Sequence, residues 1–372
     1  MKKLNKLFAV VLVMILSMSV LAGCAQNGAS SVNKEDGKLN VVATIFPAYD
    51  FLRQIAGEQI NLTMLLTPGA ESHSFEPTPQ DIKTINQADV FVYVGGESDS
   101  WVESIMDSVD TSKMKIVTLM DCVELVEEEI VDGMTVQEHD HEDADDHEDT
   151  DDHEGTDDHE GTDDHEDTDD HEGTDHHGDA DHEDTDHEDA DHHEEEKEYD
   201  EHVWTNPRNA KLIVDKLKDA LIEKDADHSE IYAQNAIAYQ EKLSELDLSL
   251  KEVVANAKRK EIIVGDRFPF RYLVDAYGLS YYAAFPGCAS DTEPSAATIA
   301  FLTDKVKEDQ IPVVFHLELS NQKVCDSIAE STGAKTMQLN AVHNITKDDF
   351  QNGVTYLDLM QQNVASLKEA LN

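Results

Sequence analysis

Between Glu138 and Glu196 the chain carries 33 Asp or Glu, 13 His and no Lys or Arg, and this stretch limits how everything around it can fold. Its centre, Asp145 to Thr174, is five in-phase hexamers with His147, His153, His159, His165 and His171 at the third position. Such a tract has almost no apolar side chain to bury and its charges repel one another. It cannot offset its own ordering entropy, so it is expected to be disordered. Any folded body must therefore be built from the segments on either side. Outside the tract 47 acids oppose 28 bases, so only −19 of the formal charge of −52 falls on those segments. No basic patch with interleaved aromatics occurs, and nucleic acid is not an expected partner.

The N-terminal residues read as an address. Lys2, Lys3 and Lys6 form a basic start, Leu7 to Val20 is an apolar run of signal-peptide length, and Leu21-Ala22-Gly23-Cys24 resembles a lipoprotein cleavage box. That resemblance implies a signal peptide over residues 1–23 and lipid on Cys24; an ordinary signal peptide with an incidental cysteine is the plainer account. Residues 24–38 are small and polar, as a flexible tether should be. An extracytoplasmic protein anchored to the membrane through Cys24 is the expectation, with a monomer as its form. Of the remaining cysteines, Cys288 and Cys325 are the expected pair if a disulfide forms, three free thiols being the alternative.

Short β-rich runs alternate with segments of helical spacing on both sides of the tract. Strands are expected at 39–45, 60–66, 90–94 and 115–119, with helices at 49–56, 79–86 and 101–107 between them. After the tract come helices at 207–224 and 229–258, and then strands at 261–264, 280–284, 313–317 and 335–339. Helices at 269–277, 295–307, 321–332 and 355–371 complete the set. Such alternation predicts parallel sheets covered by helices. The fold class is therefore α/β, with two lobes joined by one long rigid helix. The N-terminal lobe spans 39–227 with a loop over about 132–198, the bridging helix 228–258, and the C-terminal lobe 259–372. A helix of that length reaches about 45 Å, more than one small lobe needs. Strand ends of the two lobes would face a shared cleft.

Five histidines lie outside the tract and its tail: His73, His202, His228, His316 and His343. His73, His202 and His343 sit in loops, the first and last directly after strands, whereas His228 opens the bridging helix as a solvated cap and His316 lies inside an apolar strand as packing. Three imidazoles on convergent loops suit zinc, which prefers nitrogen donors in tetrahedral sites. Three unrelated surface histidines would be the bland account.

PGAESHSFEPTPQD around His73 resembles the first histidine motif of the metal-binding solute receptors of ABC importers, and DEHVWTNPRNA around His202 resembles their second. GDRFPFRYLVDAYGL and VTYLDLMQQNVASLKEAL are similar to the opening and the final helix of that family's C-terminal lobe. A histidine-rich acidic insertion is typical of its zinc-specific members. The resemblance implies metal held between two lobes, with His73 and His202 as the first two ligands. It departs at the third, where Gly265 stands in place of a His or Glu; His343 aligns with the last ligand. The expected set is His73, His202 and His343, with water, Asp266 or Glu318 completing it, or Glu318 orienting a histidine from behind.

The resemblance thus implies a receptor that captures Zn²⁺ outside the membrane and hands it to an importer permease, with zinc as cargo. Manganese is the alternative metal, though it would favour carboxylates. A metal-buffering or adhesion lipoprotein is another reading. A zinc hydrolase would need a placed general base, and no H-E-x-x-H or similar motif is present, so no enzyme is expected. Six-residue spacing in a flexible chain preforms no tetrahedral site. The tract therefore reads either as a solvated spacer or as a weak, fast-exchanging metal collector.

Overall fold

The structure is a computed structural model, described over residues 37–72, 74–106, 108–135, 198–289 and 293–372. Cys24, the tether up to residue 36, His73 and the acidic tract with its five repeat histidines lie outside the described residues.

The first half builds β1 (Leu39–Ala43), α1 (Phe46–Ala56), β2 (Ile60–Met64), α2 (Pro79–Asn86), β3 (Val90–Tyr93), α3 (Ser100–Met106) and β4 (Lys115–Thr118). Its sheet is wholly parallel in the order β2-β1-β3-β4, with Val41 opposite both Leu62 and Val90. After α4 (Pro207–Lys224) and α5 (Ser229–Ala255), the second half builds β5 (Glu261–Arg267), α6 (Arg271–Tyr277), β6 (Ser280–Phe285) and α7 (Ala296–Glu308). It continues with β7 (Val313–His316), α8 (Lys323–Thr332), β8 (Lys335–Gln338), α9 (Lys347–Gln351) and α10 (Tyr356–Ala370). Its sheet, β6-β5-β7-β8, is also parallel and repeats the strand order of the first. The alternation read from the sequence is thus two parallel-sheet lobes.

Element boundaries differ where local chemistry outweighs hydrophobic pattern. Helix α1 begins at Phe46 because Pro47 sits in its first turn, where the missing N–H costs nothing. Helix α8 begins at Lys323, since Gln322 takes a left-handed φ of 60° and so lies outside the helix. Helix α9 was not expected from the sequence; it starts behind Thr346, whose side chain accepts the Asp349 N–H. His228 precedes α5, but its side chain caps nothing and its Nδ1 instead lies 2.7 Å from Asp225. His316 ends β7 buried, as a packing residue should.

Helix α5 buries Tyr232, Tyr239, Leu243, Leu246 and Leu250 along one face, against α1, α4 and α10. These residues belong to one apolar cluster that also contains Phe46 and Phe51 of α1, Val264 of β5 and Met360 of α10. Asp50, fully buried in α1, accepts the backbone N–H of Tyr356 at 2.8 Å, and Arg53 donates to Val354 O at 3.0 Å. The two lobes therefore share a core as well as a helix.

The chain leaving β4 crosses to the second sheet. Thr135 N–H donates to Ala284 O at 2.9 Å and its hydroxyl lies 2.8 Å from that of Thr298. Glu127 and Tyr199 form an antiparallel bridge, and Asp200 N–H donates to Val126 O at 3.0 Å. Residues 126–128 and 198–200 are thus paired on either side of the acidic tract. His202 follows two residues after Asp200.

Candidate metal site

Loops at the C-terminal ends of both sheets meet around two imidazoles. His202 lies in a buried turn just before α4, where Asn206 caps the helix by accepting Arg208 N–H and Pro207 opens it. The Thr205 N–H and hydroxyl both donate to His202 O, at 3.1 and 2.8 Å, and fix the turn. Asp200 Oδ1 accepts the His202 backbone N–H at 2.8 Å and lies 3.1 Å from ring Nδ1. An imidazole that gives its Nδ1 proton to a carboxylate coordinates through Nε2, with its orientation held.

His343 stands half-buried on the loop after β8. Val342 before it has a φ of 63°, a left-handed conformation costly for a β-branched residue. Surrounding bonds hold it there: Glu318 Oε2 accepts Ala341 N–H at 2.6 Å, and Phe46 N–H donates to His343 O at 3.2 Å. The two rings meet edge to face with centroids 4.6 Å apart. Trp204 packs against both, 5.6 Å from His202 and 5.2 Å from His343.

The loop after β2 completes the wall. Asn344 Nδ2 donates to Thr67 O and Ala70 O, both at 2.8 Å, and Phe75 packs edge-on against Trp101. Ser72 and Phe75 line a cavity of about 20 Å³ with Asp99, Glu201, Trp204 and His343. That volume has room for roughly one water-sized occupant. His73 is flanked by these residues but is itself outside those described. Among the described residues no group of three or more His, Cys, Asp or Glu is arranged to hold a metal. The described part of the expected set is the His202–His343 pair.

Carboxylates line the cavities beside His343. Burial pushes Asp99 up to about 6, opposed by the N–H groups of Val94 and Gly95. It raises Glu201, opposed by Ser98, and pushes Glu318 up to about 7, opposed by Ala341. A cation nearby would favour the charged form of each, so the surroundings match a divalent cation electrostatically.

Other expected residues fall elsewhere. A Cβ on Gly265 would meet Cys325 Sγ at 2.6 Å and Cys325 N at 3.2 Å, so this position faces α8. Asp266 lines a separate larger cavity and accepts Arg267 N–H at 2.9 Å. The expected Cys288–Cys325 disulfide is corrected, because both are free thiols, as is Cys122. Cys325 donates to Phe315 O in the core beneath β7, whereas the Cys288 backbone is held by Glu128 on the loop after β6.

Asp200, Trp204 and Asn344 were missed as site residues. A carboxylate two residues before His202 was a usable signal for Asp200. The aromatic that follows the histidine in DEHVWTNPRNA was a usable signal for Trp204, whereas nothing local marks Asn344, whose partners lie at least 274 positions away.

Residues 41–370 match the family described as zinc-uptake complex component A, periplasmic (ZnuA). The zinc-binding lipoprotein AdcA of Streptococcus pneumoniae R6 is 30% identical over 340 residues, covering 91% of this chain but 57% of its own length. The high-affinity zinc uptake system protein ZnuA of Bacillus subtilis 168 is 29% identical over 371 residues, covering all of this chain and 98% of its own. A crystal structure of the Zn(II)-bound ZnuA-like domain of S. pneumoniae AdcA superimposes with a TM-score of 0.64 at 28% identity. That match covers 90% of this chain and 99% of the domain.

Proposed function

The chain belongs to the periplasmic zinc-uptake component A family, and on that premise we propose that it is an extracytoplasmic receptor that captures Zn²⁺ for an ABC importer permease. The observation that carries this reading is the edge-to-face pair of His202 and His343, the second of which lines a cavity of about 20 Å³. Zinc is the cargo, so no chemistry on it is required; the protein supplies imidazole nitrogens and, in Asp200, a carboxylate that orients one of the rings. His73, His202 and His343 are the ligands in this reading. Glu318 holds the His343 loop through Ala341 and stands behind the ligands, with Asp266 or water as alternatives for a fourth position. Lipid on Cys24 tethers the receptor to the membrane, and the repeat histidines collect metal weakly.

Manganese prefers carboxylate and water ligands, and the imidazole pair favours zinc over it. The working division is a lobe over 39–227, the helix 228–258 and a lobe over 259–372.

Metal analysis of the protein lacking residues 138–196 tests the proposal. Glu127 and Tyr199 stay paired on either side of the deletion, and a flexible linker joins residues 137 and 197. One tightly held zinc per chain is expected, lost again when His343→Ala is added. A deleted protein that retains no zinc would move the binding to the tract and end this reading.

A further inference from the structure

Three cavities share walls. Ser72 and His343 line both the cavity beside Trp204 and a second one of about 20 Å³ that also touches Glu71, Arg267 and Glu318. Those last three line a third cavity of about 160 Å³ as well. Its rim at Leu319, Asn321, Gln322 and Lys323 is exposed, while its floor at Gly265 and Leu317 is buried. It sits at the ends of β5 and β7, from which the neighbouring strands run to opposite sides of the sheet. That is where open parallel sheets form their crevices.

We propose that these cavities form the route by which the metal ion reaches the histidine pair, and that the Arg267–Glu71 ion pair is the gate across it. This rests on the zinc-receptor reading. Arg267 ends β5 and is 8% exposed. Its Nη2 lies 2.9 Å from Glu71 Oε1, and its Nη1 donates to Ala289 O at 3.4 Å. One side chain thus fastens the loop after β2 and the loop after β6 to the end of β5.

The Glu71 side chain is 46% exposed, and an ion pair with one exposed partner is weak and opens readily. While the pair is closed, the joined Arg267 and Glu71 side chains stand on the wall shared by the middle and outer cavities and bar the way between them. When Glu71 swings out, its carboxylate joins those of Asp266 and Glu318 along the walls. A hydrated divalent ion can then exchange waters for these oxygens before meeting imidazole. Arg267 and Glu71 are positioning residues in this scheme and coordinate nothing in the bound state. Their effect falls on the barrier between solvent and site.

Stopped-flow mixing of the full chain with Zn²⁺, and of the zinc-loaded chain with a chromophoric chelator, gives the association and dissociation rates. In both Arg267→Gln and Glu71→Gln the two rates are expected to rise together by about fivefold or more, with Kd within about threefold. Arg267→Lys, which can remake the ion pair with Glu71, should restore slow exchange. Unchanged rates would overturn the gate. So would faster dissociation alone with affinity lost in proportion, because Arg267 would then merely hold a loop in place. Glu71 is exposed, so Glu71→Gln carries the test even if Arg267→Gln fails to fold. If the unaltered chain takes up no zinc in the same apparatus, the receptor reading itself fails and the gate falls with it.

Discussion

The indole N–H of Trp204 donates to the carbonyl oxygen of Ala341 at 2.7 Å, joining the turn that carries His202 to the loop that carries His343. The turn is anchored from the other side by Tyr356, whose hydroxyl donates to Trp204 O at 2.7 Å. A single buried side chain thus sets the spacing of two imidazoles that lie 141 positions apart in sequence.

Trp204→Phe keeps an aromatic ring against both histidines but leaves the Ala341 carbonyl without this donor. A buried acceptor so stranded costs about 1–3 kcal/mol, and urea denaturation of the metal-free protein should show that loss. Zinc affinity measured by competition with a chelator should fall as well, since the His343 loop loses its link to the His202 turn. Lost stability with affinity intact would show that the ring pair is held by other contacts.

Asp200→Asn removes the charge beside His202 Nδ1 and nearly nothing else. The amide oxygen can still accept the His202 backbone N–H, so the turn should persist. Outer partners of metal-bound histidines are typically worth about 10–100-fold in affinity, and a loss of that size is expected. Circular dichroism should be unchanged. Affinity equal to that of the unaltered protein would remove Asp200 from the site.

The fold was legible because hydrophobic alternation is local: Leu39 to Ala43 and Val313 to His316 announce themselves as strands from their own residues. His202 and His343 were legible as loop histidines next to elements that could be placed. The fastening of the site was not. Asn344 reaching Thr67 and Ala70, Arg267 reaching Glu71 and Asp50 reaching Tyr356 join residues at least 196 positions apart, and no periodicity encodes a pairing at that range. The cysteines failed for the same reason. Both fall in the C-terminal half, but Cys325 lies beneath β7 whereas Cys288 packs against a loop from the first half.

Zinc should leave the overall shape nearly unchanged. The apolar cluster runs from Phe51 of α1 through Tyr239 and Leu243 of α5 to Met360 of α10, and opening the lobes would split it. Separation would also strand Asp50, which is buried and bound to both Arg53 and the Tyr356 N–H. The radius of gyration from solution scattering should change by less than about 1 Å on zinc addition, as in pre-organised complexes. A contraction of several ångströms would show that the lobes close as rigid bodies.

Asp99 gives the protein a pH signature of its own. Its Oδ2 accepts the N–H groups of Val94 at 2.6 Å and Gly95 at 3.3 Å, yet burial outweighs both bonds and pushes the carboxyl up to about 6. In the folded state this group therefore holds its proton through a range in which the unfolded chain, titrating near 4, has released it. Where the native state binds more protons, stability falls as pH rises. The contribution of Asp99 is thus most favourable below pH 4, declines between about 4 and 6, and settles at a deficit of about 3 kcal/mol above that. Asp99→Asn keeps an oxygen for the two N–H groups and removes the titration. Denaturation of both metal-free proteins from pH 4 to 8 should show the variant gaining on the parent through that window, then running parallel to it. A stability difference that stays constant from pH 4 to 8 would show that the Asp99 carboxylate is already ionised at the acid end.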